Sequence, residues 1–74
     1  MLNKVSVVIE QDADGFYAHC PSLPGCQSQG ETVDEAMTNI TEAVELYLET
    51  LDEDELAELL SHQVITKSLE VSVA

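Results

Sequence analysis

The sequence predicts an α+β domain in which one main helix packs on one face of a small, antiparallel-rich sheet, in the order β-β-β-α-(α)-β. Three observations carry this. Apolar residues alternate at a period of two near both ends of the 74-residue chain. Two breakers, Asp14-Gly15 and Pro24-Gly25, divide the first part into strand-length pieces. Between residues 33 and 51 the apolar spacing becomes three and four, the period of a one-sided helix.

The first strand is expected over residues 3–10, where Val5, Val7 and Ile9 alternate with Lys4, Ser6 and Glu10 and only Val8 breaks the polar side. The run Gln11-Asp12-Ala13-Asp14-Gly15 then signals a tight reversal, because glycine accepts positive φ without steric cost. A second strand, roughly Phe16 to Cys20, should pair antiparallel with the first. Pro24-Gly25 suits the two central positions of a type II turn, so the chain bends again before a short third strand from Cys26 to Gln29. Thr32 followed by Glu35 has the spacing of a capping box. The helix it opens carries Val33, Ala36, Met37, Ile40, Ala43, Val44, Tyr47, Leu48 and Leu51 as a continuous apolar stripe, which must lie on the sheet. Asp52 to Glu55 would cap a shorter helix through Leu56, Leu59 and Leu60. In the final segment Leu69, Val71 and Val73 alternate with Ser68, Glu70 and Ser72, which predicts a closing strand.

Length allows one core and one domain, residues 1–74. The apolar residues form no stretch long enough to span a membrane, and Met1-Leu2-Asn3-Lys4 does not open a secretory signal, so the expected location is cytoplasmic. Charge is the extreme property. Fifteen acidic residues against two lysines give a net charge of −13. Such a field repels phosphates, which excludes direct nucleic-acid binding and favours a basic protein surface as partner, although acidity also serves solubility.

Residues that could carry chemistry do not assemble into a catalytic set. Cys20 and Cys26 flank the Pro21–Gly25 run, but the cytosol keeps thiols reduced and a zinc site needs two more ligands than they supply. Both read as small buried or turn-flanking residues. His19 and Cys20 are adjacent on a strand, so their side chains point to opposite faces and cannot share a proton. Asp12-x-Asp14-Gly15 resembles the opening of a calcium loop, yet no bidentate Glu follows at the twelfth loop position. No catalytic residue, metal or cofactor is expected.

Taken together, several motifs resemble the HicB-like antitoxin family. They are Val7-x-Ile9-Glu10, Asp12, Asp14-Gly15-Phe16-Tyr17, then Pro21-x-Leu23-Pro24-Gly25-Cys26, then Gly30-x-Thr32-x-x-Glu35-Ala36, and the helical run Glu42-Ala43-Val44-Glu45-Leu46-Tyr47-Leu48. The resemblance is close over about residues 4–50 and looser over the final strand. It implies a degraded ribonuclease-H-like fold of three strands, a helix and a fourth strand. It also implies a function, which is to bind and neutralise a small basic HicA-like toxin. Such a toxin resembles a double-stranded-RNA-binding domain and cleaves messenger RNA with its own histidine. Many family members carry a C-terminal DNA-binding segment that these residues do not contain, so the expected form is stand-alone.

The expected partner surface is Glu10, Asp12, Asp14 and Tyr17, with the exposed helix acids as a second choice. Two alternatives stand beside it: an orphan protein-interaction module without a toxin, and a residual metal-dependent nuclease using Glu10, Asp12 and Asp14. A small domain with an exposed sheet edge is also expected to form a homodimer or a dimer of dimers, with the closing strand or the second helix near the interface.

Overall fold

The computed structural model describes residues 4–73; Asn3, with which the first strand was expected to begin, lies outside them. Three strands, β1 (Val8–Asp12), β2 (Gly15–His19) and β3 (Gln27–Gly30), form an antiparallel meander in the order β1-β2-β3. Two helices follow, α1 (Val33–Glu49) and α2 (Glu53–Leu60). The α+β architecture expected from the sequence is therefore present.

The β1–β2 hairpin closes at the pair Asp12 and Gly15, leaving Ala13 and Asp14 as its two loop residues. Asp12 Oδ1 accepts from the Asp14 backbone N–H at 2.8 Å, and Gly15 takes the positive φ, +132°. β1 is displaced from the expected residues 3–10: residues 4–7 belong to no strand, and the pairing runs two residues further, to Asp12, because the Asx interaction makes the reversal in two residues instead of five. The second turn is as expected. The Cys26 N–H donates to the Leu23 carbonyl at 3.0 Å and Gly25 has φ +79°, the value of the third residue of a type II turn.

Helix α1 begins with the Thr32 hydroxyl accepting from the Glu35 N–H at 3.0 Å. The reciprocal half of the expected box differs. Glu35 Oε1 accepts from the Glu31 N–H at 3.3 Å, one residue before the cap, because the carboxylate is long enough to reach past Thr32. The complete reciprocal box is found on α2, where Asp52 accepts from Glu55 N–H at 2.8 Å and Glu55 from Asp52 N–H at 3.3 Å.

Ala36 and Ile40 of α1, with no exposed surface, press onto Ala18, Cys20, Leu23 and Cys26 to make the buried core. Around it pack Val5, Val7, Ile9, Phe16, Ala43, Val44, Tyr47, Leu48 and Leu59. The helix lies over β3 and β2 and does not extend across β1. Its approach is close enough that a Cβ at Gly30 would stand 2.6 Å from the Ala36 nitrogen. Not all of the stripe is covered: Val33 and Met37, over the first turns, remain exposed.

The expected closing strand is not formed. Residues 62–73 belong to no helix or strand, and Leu69, Val71 and Val73 are 84%, 74% and 90% exposed. Alternation makes a segment competent to be a strand, but the ladder requires a partner edge, and none within this chain is engaged. The fourth strand of a ribonuclease-H-like sheet is accordingly missing among the described residues.

Gly30→Ala should destabilise the fold by about 1–3 kcal/mol, because the new methyl meets helix backbone that cannot rotate away. Gly25→Ala should cost about 1–2 kcal/mol through its left-handed φ alone, since nothing lies within 4 Å of the new methyl. Urea unfolding followed by circular dichroism measures both.

Candidate partner-binding face

Alternation along the strands sorts the sheet into two faces. Ile9 is paired with the buried Ala18, so Val7, Ile9, Phe16, Ala18 and Cys20 face α1. Val8, Glu10, Tyr17, His19, Gln27 and Gln29 face the other way, where Glu10, Gln27 and Gln29 are exposed and Val8, Tyr17 and His19 half-buried. The same geometry puts His19 and Cys20 on opposite sides, as their adjacency in the sequence requires.

On the open face the hairpin register sets Glu10 directly opposite Tyr17. The Tyr17 hydroxyl donates to Gln27 Oε1, which draws the phenol diagonally across the sheet and over His19. The two rings lie 5.6 Å apart between centroids and are tilted by 32°. His19 Nδ1 is shielded by this arrangement and has no hydrogen-bond partner among the described residues. The result is a small platform of two rings with an acid beside it.

At the hairpin end the platform runs into an open groove of about 540 Å³. Its walls carry Asp12, Asp14, Phe16 and Tyr17 from the hairpin and Glu31 and Glu35 from the entry to α1. Pairing of Phe16 with Gly30 brings these two parts of the chain together. Two of the four carboxylates are oriented by backbone N–H groups, Asp12 by Asp14 and Glu35 by Glu31. Each keeps a second oxygen with which a lysine or arginine can be met.

Three of the four expected surface residues, Asp12, Asp14 and Tyr17, share this groove, and Glu10 joins it through Tyr17. Glu31 and Glu35 also line the groove; of the two, reading along the chain assigns a role only to Glu35, that of helix cap. The signal was present in the strand spacing, since a third strand ending at Gly30 must end beside the hairpin tip. The second-choice acids Glu42, Glu45 and Glu49 sit further along α1 and do not line the groove. Glu10, Asp12 and Asp14 do not converge, and among the described residues no three His, Cys, Asp or Glu side chains gather to hold a metal ion.

The sequence matches the HicB-like antitoxins of bacterial toxin-antitoxin systems over residues 5–70. The chain belongs to the HicB-like antitoxin family. A UPF0150 protein of Helicobacter pylori is 44% identical over 70 residues, covering 95% of this chain and 97% of its own length. A UPF0150 protein of Archaeoglobus fulgidus is 46% identical over 63 residues, covering 84% and 91%. A Synechocystis relative of the same designation is 46% identical, covering 84% of this chain and 71% of its own. No solved structure matches the chain. Membership in an antitoxin family points to a toxin as partner and to a non-enzymatic role. No helix among the described residues is long and apolar enough to cross a membrane.

The cysteines of this HicB-like chain belong to its core. Both are buried free thiols, joined by a hydrogen bond from the Cys20 N–H to the Cys26 carbonyl at 3.1 Å. Burial, then the neighbouring Cys26, pushes the Cys20 thiol up to about 11. At pH 8 the folded protein should hold about a hundredfold less Cys20 thiolate than the unfolded chain, whose thiol titrates near 9.0. Iodoacetamide should therefore modify Cys20 at least that much more slowly in buffer than in concentrated urea, as read by mass spectrometry. Equal rates would show the pair to be accessible.

Proposed function

We propose that this chain, as a single HicB-like domain, neutralises a small, basic, mRNA-cleaving HicA-like toxin by covering its RNA-binding face and catalytic histidine. The observation that carries the reading is the acidic groove beside the Tyr17 platform in a protein of net charge −13 that belongs to an antitoxin family. A protein that binds RNA does so with lysine and arginine placed to meet phosphates. Asp12, Asp14, Glu31 and Glu35 offer the same groups a row of carboxylates, so the antitoxin competes with RNA for the toxin's own cations. Tyr17 adds a flat ring on which a guanidinium can rest, with Glu10 opposite it to hold the charge. Catalysis is not needed, and none is assigned to any residue here. The chain acts in the cytoplasm, where the toxin meets messenger RNA, and does not itself bind nucleic acid.

The long-range field speeds encounter, while the close pairs set the lifetime of the complex. Binding should weaken as salt rises. Tyr17→Ala and Glu10→Lys should each lower affinity for a catalytically inactivated HicA-like toxin from the same genome by tenfold or more, measured by titration calorimetry. They should also restore RNA cleavage by the active toxin while leaving the far-ultraviolet spectrum unchanged. If no HicA-like toxin of that genome binds the wild-type chain or is inhibited by it, the proposal fails.

A further inference from the structure

Two features of the molecule are each incomplete and fit one another. The first is the segment from 64 to 73, in which Leu69, Val71 and Val73 alternate with Ser68, Glu70 and Ser72 but pair with nothing. It stands away from the body. The radius of gyration is 14.5 Å and the longest extent 50 Å, where a compact chain of this length has a radius of about 11 Å.

The second is the outer edge of β1. Both end strands of a three-stranded sheet have a free edge, but here they are not equivalent. The bond from Cys20 N–H to the Cys26 carbonyl fixes which pairs between β2 and β3 are hydrogen-bonded. By alternation Gln29 turns its carbonyl outward, and Asn39 Nδ2 of α1 donates to it at 2.8 Å. The β3 edge is thus partly capped by the helix. On β1 the same alternation turns the backbone groups of Ile9 and Gln11 outward, and no element pairs there. Because α1 lies mainly over β3 and β2, the inner side of β1 is covered only in part: Val7 and Ile9 pack against the core but stay half-buried.

We infer that residues 68–73 of one chain form the fourth strand on the β1 edge of a second copy, in a reciprocal exchange. This deepens the expectation of a homodimer by naming the surface and the occupant. A six-residue strand spans about 20 Å, enough to run the five residues of β1. Leu69, Val71 and Val73 then face inward beside Val7 and Ile9 under the uncovered flank of α1. Ser68, Glu70 and Ser72 face outward. Glu70 of the partner subunit therefore joins Glu10 and Tyr17 on the open face, so the proposed toxin-binding surface is completed by the second copy. Symmetry lets each chain satisfy both deficits at once, and the exchange removes an unpaired edge that would otherwise template aggregation.

The full chain in sedimentation equilibrium should be a dimer that tightens between 20 mM and 500 mM salt, as ions screen the charge of −13 on each copy. The double variant Leu69→Asp, Val71→Asp should weaken the dimer at least a hundredfold while keeping the circular dichroism of the folded chain, and its melting temperature should lose its dependence on protein concentration. A mixture of differently isotope-labelled chains should give intermolecular nuclear Overhauser effects between Leu69 or Val71 methyls and Ile9. The inference is overturned by a monomer at millimolar concentration in both salts, whose tail would then serve a different protein. A dimer indifferent to the double variant overturns it as well, as do effects found only within one chain, which would mean that the tail folds back on its own β1. None of these outcomes depends on whether the chain binds a toxin.

Discussion

The close approach of α1 to β3 is the constraint on which the remaining architecture depends. It is made by small residues: Gly30 on the strand, Ala36 on the helix, and Ala18 beneath them on the central strand, the last two with no exposed surface. With a side chain at position 30 the helix would have to lift, and Ile40, the largest side chain on the helix to be fully buried, would lose its seat. Holding the helix low over β3 also decides what stays uncovered. The helix is too narrow to shield three strands at a spacing of about 4.8 Å from a position over the third. The β1 flank is left half-finished, and the opposite face of the sheet is left bare.

Among the described residues six are buried, a small core for a folded domain, and α1 packs on one face of the sheet. Such a chain gains from any further burial. The surfaces that can supply it are those the helix does not reach: the β1 edge, the exposed tail, and the ring platform of Tyr17 and His19. Fold economy and the proposed partner binding therefore draw on the same parts of the molecule. The shielded His19 Nδ1 fits this picture, since an unpaired buried acceptor or donor is a small standing cost that a docked partner can relieve.

Local chemistry was legible in the sequence and non-local pairing was not. The Leu23–Cys26 turn, the Thr32 cap and the helical period each depend on residues within a few positions of one another, and each was found as read. The hairpin came out tighter than expected because Asp12 hydrogen-bonds its own turn, a choice among reversals that composition does not make. Glu35 bypassed the cap for Glu31, which depends on the entry angle of the chain. The final segment has the right alternation for a strand, but alternation carries no information about which edge it joins or in which molecule. Within the site, the expected five-residue reversal would set Glu10 opposite Phe16, and it is the two-residue turn that sets it opposite Tyr17. Glu31 and Glu35 could be placed beside Asp12 and Asp14 only once the third strand was known to end level with Phe16.

The distribution of charge shows how acids can be crowded at modest cost. Asp34 and Glu35 in the first turn of α1, and Glu53, Asp54 and Glu55 in that of α2, lie at the positive ends of their helix dipoles. Asp12, Glu35, Asp52 and Glu55 each accept from a backbone N–H. Glu42, Glu45 and Glu49 have no such compensation, and neither helix carries a basic residue in its last turn. Their mutual repulsion is screened by salt in the free chain and relieved directly when cations of a partner come within a few ångströms. In the groove two of the four carboxylates, those of Asp12 and Glu35, are already oriented by local hydrogen bonds, so a basic partner would meet two acceptors that need little reordering. Preorganisation of this kind lowers the cost of ordering an acidic surface against a basic partner, which a surface serving solubility alone does not need.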